Sequence, residues 1–165
     1  MKPQPDFTSI FFDYFGRSPK PVSYALRFDS SLLHDIQFMS SLLHDADICP
    51  QMFLKRGKRL TIKFMRECWE LPKIKKDGAV HLHVVESTLV VSPAGEAVWS
   101  LPHDFLQQGQ QTFSVQQISI GLDYWNPENN FFTLVLQGPS WRCDITVDSK
   151  SPLVRMRDVG VPRIV

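Results

Sequence analysis

The hydrophobic period of the chain changes near residue 47, and that change limits the fold more than any other feature. From Leu32 to Ala46 the apolar residues Leu32, Ile36, Met39, Leu43 and Ala46 recur at helical spacing, with His34, Gln37, Ser41 and His44 opposite them. Asp29-Ser30-Ser31 supplies N-cap candidates in front of this stripe. The reading is one amphipathic helix over about 30–46. From Ile48 onward the period is two. Leu60, Ile62 and Phe64 alternate with Thr61, Lys63 and Met65, and Trp141, Cys143, Ile145 and Val147 alternate with Arg142, Asp144, Thr146 and Asp148.

The alternating segments are separated by short turn signals. Lys55 to Arg59 divides Ile48–Leu54 from Leu60–Trp69. Pro72 to Gly78 reads as a basic loop, and Ser92-Pro93-Ala94-Gly95 ends a long strand over Val80–Val91. Phe113–Tyr124 reads as a strand whose alternation slips by one residue near Gln116-Gln117, the mark of a β-bulge. Short connections mean antiparallel neighbours. The expected fold class is α+β: a mainly antiparallel sheet, twisted and either open or curled into a partial barrel or sandwich, with the helix packed on it.

A chain of 165 residues fits one domain. Apolar residues make up 43% and charged residues 21%, which excludes a disordered chain. Residues 1–21 carry Pro3, Pro5, Pro19 and Pro21 around Phe7, Phe11, Phe12, Tyr14 and Phe15, and are expected to dock on the core as a Pro/aromatic arm. No stretch approaches a membrane span and the N-terminus lacks the pattern of a secretory signal, so the expected compartment is the cytoplasm. The odd, widely spaced cysteines Cys49, Cys68 and Cys143 give no disulfide framework and no CxxC metal site. The expectation is that the chain needs no cofactor.

Charge is the strongest local anomaly. The whole chain carries a net charge of +1, too little to draw it to nucleic acid or membrane. Between Lys55 and Lys76, however, lie Lys55, Arg56, Lys58, Arg59, Lys63, Arg66, Lys73, Lys75 and Lys76, opposed by Glu67 and Glu70. Lys55, Arg56, Lys58, Arg59, Lys63 and Arg66, with Trp69 beside them, form a candidate surface for an acidic protein partner. A solvated turn with lysines that guard a strand edge is the plain alternative. One candidate stacking ring near the basic residues is too few for a single-stranded nucleic-acid binder. Edge pairing into a homodimer is a further option. Tyr124-Trp125, at the turn before Asn126-Pro127, is a second candidate contact surface.

The chemistry of catalysis is hard to find. No nucleophile elbow, HExxH pair or glycine-rich phosphate cradle is present. His81 and His83, two apart on one expected strand, would share a face, and His103 is the candidate third ligand of a small-ligand or metal pocket. This ligand-binding or enzymatic domain is the second function hypothesis.

The run Leu42-Leu43-His44-Asp45-Ala46-Asp47-Ile48, followed by Leu60-Thr61-Ile62-Lys63-Phe64, resembles a pattern of small uncharacterised bacterial proteins, some of them immunity-protein-like. It covers about a quarter of the chain. In that pattern the His-Asp pair opens a strand, whereas the periodicity here places it at the end of a helix. The resemblance implies a non-enzymatic domain that binds another protein, and it assigns no catalytic residue. The favoured expectation is therefore a non-enzymatic protein-binding module.

Overall fold

A computed structural model describes residues 20–69, 71, 73–101 and 112–165. The helical stripe forms α1 (Leu32–Leu43), the one α-helix among these residues. It ends three residues before the periodicity does, because Asp45 takes a left-handed φ of 62° and turns the chain into a strand. At its start the Asp29 carboxylate accepts the Ser31 N–H at 2.7 Å. Asp35 in the first turn adds a favourable charge to the helix dipole.

Everything else is antiparallel. The first sheet contains β1 (Ser23–Ala25), β2 (Asp47–Ile48), β3 (Phe53–Arg56), β4 (Arg59–Glu67), β7 (His83–Ser92), β9 (Phe113–Ser114), β13 (Leu153–Asp158) and β14 (Arg163–Ile164). Its main path runs β1-β13-β7-β4-β2-β9, with β3 beside β4 and β14 beside β7. The second sheet is β10 (Gln117–Ile120), β11 (Phe131–Gln137), β12 (Arg142–Asp148) and β8 (Ala94–Ser100), in that order. A small ribbon pairs β5 (Ile74–Lys76) with β6 (Ala79–His81). The inward residues of both sheets and of α1 share one core, which includes Leu32, Met39, Ile62, Leu89, Leu134, Ile145 and Met156. This is the α+β architecture expected from the two periods, and no barrel closes among the described residues.

Several boundaries differ from the pattern. The slip at Gln116 is a change of sheet and not a bulge: β9 pairs with β2 in the first sheet, and β10 pairs with β11 in the second. Ser92-Pro93 marks a similar corner between β7 and β8. In place of the expected basic loop, residues 74–81 form the β5–β6 ribbon, turned by Asp77 (φ 53°) and Gly78 (φ 77°), the two left-handed positions of a type I′ hairpin. The long strand over Val80–Val91 is broken at Leu82, whose N–H and C=O both bond to Val165. The aromatic arm at 7–15 lies outside the described residues. No helix among the described residues is long and apolar enough to cross a membrane.

Candidate functional site

The basic segment folds into the β3–β4 hairpin. Its loop is two residues, Gly57-Lys58, and Gly57 supplies the left-handed φ of 58° that a tight hairpin needs at that place. Register pairs Arg56 with Arg59 and Leu54 with Thr61. Alternation then puts Leu54, Arg56, Arg59, Thr61 and Lys63 on the outer face, where they line a groove of about 460 Å³. Arg56, Arg59 and Lys63 are exposed. Lys55 points the other way, and its Nζ donates to the Gly95 carbonyl of β8 at 2.6 Å. Lys58 is exposed at the turn.

Two cations join this face from far along the chain. Thr61 is paired with Val90, and Val90 with Arg155. Lys63 is paired with Thr88, and Thr88 with Arg157. Arg155 and Arg157 therefore stand on the same outer face, two strands over, at roughly 10 Å from the β4 row. Both are exposed. No carboxylate among the described residues forms an ion pair with Arg56, Arg59, Lys63, Arg155 or Arg157. Glu86, on the same face, is the acidic residue of β7. Arg155 and Arg157 lie about ninety residues from the hairpin in sequence, and only the strand order brings them in.

Arg66 does not belong to this surface. It continues the inward phase of Leu60, Ile62 and Phe64 and is 1% exposed. Its Nε and Nη2 donate to the two oxygens of Asp158 at 3.0 and 2.9 Å. The same carboxylate accepts from the Ser87 hydroxyl at 2.6 Å and the Val22 N–H at 2.8 Å. Four donors thus satisfy one buried charge, and the network ties β4, β7, β13 and the start of β1. Its role is to hold the sheet beneath the basic face.

Trp69 lies past the end of β4, 39% exposed. Its indole N–H donates to the His44 carbonyl at 3.1 Å, and the Lys73 ammonium sits 4.7 Å from the ring centroid. These contacts place it at the far end of β4 from the Arg56–Arg59 hairpin. His44 and Asp45 stand between helix end and β2, with His44 Nδ1 and Asp45 Oδ2 3.0 Å apart. At the opposite candidate surface, Tyr124 packs on Phe28 and Phe132, while Trp125 remains half-exposed on a 3₁₀ turn.

The histidines are separated by the break at Leu82. His81 lies on β6, and its Nδ1 is 3.2 Å from the Val165 carbonyl. His83 lies on β7, opposite Ile164. The two residues therefore sit on strands of different sheets. His83 Nδ1 is buried without a hydrogen-bond partner among the described residues, beside a cavity of about 10 Å³ that Cys68 and Glu67 also line. That is room for about one water. His103 lies outside the described residues. Among the described residues, no three His, Cys, Asp or Glu side chains gather as metal ligands.

The thiols are buried. Burial, with the Asp144 charge beside it, pushes the Cys143 thiol up to about 12, so its thiolate is suppressed at neutral pH. Compared with known protein families, with curated proteins and with solved structures, the chain matches none.

Proposed function

We propose that the protein is a non-enzymatic binding module that takes an acidic segment of a protein partner on the outer face of its first sheet. One observation carries this reading: Arg56, Arg59 and Lys63 share that face with Arg155 and Arg157, with no paired carboxylate among the described residues. Cations that serve only to solvate a turn have no need of partners two strands away. A basic sheet face steers an acidic partner and fixes its register. The face also carries Leu54 and Met65, both exposed, which supply apolar contact between the charges. The resemblance of residues 42–48 and 60–64 to small bacterial proteins, some of them immunity-protein-like, implies a protein partner as well.

The test is binding of a labelled twelve-residue polyglutamate, wild type against R59E/K63E/R155E/R157E. Wild type should bind in a salt-dependent manner, and the variant should lose roughly tenfold or more. An unchanged affinity removes the surface assignment. Tighter binding of a dT12 oligonucleotide than of polyglutamate would replace the protein partner with a nucleic acid.

A further inference from the structure

We infer that the groove between Arg56, Arg59 and Lys63 is a seat for a phosphate monoester carried by the acidic partner segment. The inference rests on the basic-face reading above and narrows it to one group on the partner. Arg56 and Arg59 are directly opposite each other across the hairpin. Their Cβ atoms are therefore roughly 5 Å apart, and a like-charged pair at that distance is destabilising unless an anion lies between its members. The two-residue loop holds them there, since Gly57 and Lys58 leave the register no slack. Both line the same groove, and Lys63 and the Thr61 hydroxyl line it next to them.

The donor set decides between a carboxylate and a phosphate. A carboxylate offers two oxygens and one charge, which a single guanidinium fork already satisfies. Here two forks, one ammonium and one hydroxyl line one groove. A phosphate monoester presents three oxygens and nearly two negative charges, and matches that surplus. Leu54 forms an apolar wall of the groove, against which the carbon stem of a phosphorylated serine or threonine packs. Arg155 and Arg157, two strands away, would meet the flanking acidic residues and not the phosphate itself.

The experiment uses three labelled peptides with the same glutamate-rich flanks: a central serine, a central phosphoserine, and two glutamates in its place to match the phosphate charge. Against the full chain, the phosphoserine peptide should bind roughly ten- to a hundredfold tighter than the serine peptide. It should also exceed the two-glutamate peptide. R56Q/R59Q should weaken all three peptides but abolish that preference, so that the phosphoserine peptide loses roughly tenfold more than the serine and two-glutamate peptides. R155Q/R157Q should weaken all three peptides alike and keep the preference. Equal affinity for phosphoserine and two-glutamate peptides overturns the phosphate seat and leaves the acidic-partner reading standing. So does a preference that survives R56Q/R59Q. No binding of any of the three overturns both. Thermal melts of the variants, expected to be no lower than wild type because the arginines are exposed and relief of the Arg56–Arg59 repulsion can only help, exclude misfolding as the cause.

Discussion

Arg66 and Asp158 show how much one inward-facing charge can determine. With both side chains fully buried, either alone is an uncompensated charge in the core. Asp158→Ala should therefore destabilise the fold by about 3–5 kcal/mol, read as a shift in the urea midpoint. Replacing both residues with apolar ones of similar volume should cost much less, and a double variant no better than D158A would contradict this account. Asp35 is a second fully buried carboxylate. It accepts from Tyr24 Oη at 2.7 Å, from the Arg27 N–H at 2.9 Å and from the Arg27 guanidinium at 2.8 and 2.9 Å. Hydrogen bonding from Arg27 is the main cause that holds its pKa down, from 3.8 to about 2. A depressed carboxylate contributes its stability above the unfolded pKa and loses it as pH falls through the folded one. The melting-temperature gap between wild type and D35A should thus be constant from pH 7 to about 4 and narrow between about 4 and 2. A gap that persists at pH 2 would show that the charge is not what Arg27 and Tyr24 hold. The inward phase of Arg66 was legible in the alternation of Leu60, Ile62 and Phe64. Its partner was not, because Asp158 lies 92 residues away.

Among the elements, β10 is the edge strand that is managed most economically. It pairs with β11 on one side and faces α1 on the other. There the Ser40 hydroxyl accepts the Ile118 N–H at 3.2 Å and donates to the Ile118 carbonyl at 2.9 Å. One side chain fills the place of a neighbouring strand's peptide and blunts the edge. Ser40→Ala should cost about 1–3 kcal/mol, because both part-buried backbone groups lose their partner. A change within 0.5 kcal/mol would mean that solvent serves Ile118 equally well. Gly138 plays a related part. A Cβ there would stand 2.6 Å from the Ser114 carbonyl oxygen, to which the Trp141 indole N–H donates at 3.0 Å. Gly138→Ala should accordingly displace Trp141 and be visible in its fluorescence maximum. The helix and the strands of residues 131–137 and 142–148 follow from local periodicity, which depends on a residue and its near neighbours. The pairing at Leu82 does not, since its N–H and C=O are taken up by Val165, 83 residues later, in the register that joins β14 to β7.

At the scale of the molecule, the candidate site is a property of strand order. The sequence displays Arg56, Arg59 and Lys63 as a local run, while Arg155 and Arg157 look like ordinary outward positions of a late strand. They become one surface because β7 lies between β4 and β13. Removing Arg155 and Arg157 should flatten the salt dependence of polyglutamate binding as much as removing two cations of the hairpin, measured between about 50 and 200 mM salt. A smaller effect would confine the contact to β3 and β4. Strand order has another consequence. The backbone passes from the first sheet to the second between β7 and β8, returns before β9, leaves again before β10, and comes back between β12 and β13. Neither sheet is a continuous piece of chain, so completing either one requires the chain to pass through the other. The two should open together, as one unit with a common protection against amide exchange across β7, β11, β12 and β13. A cut in any of the crossings should release no autonomous half. The price is time: pairings between remote segments must be found before any of them is rewarded, which makes this a slow folder for its length.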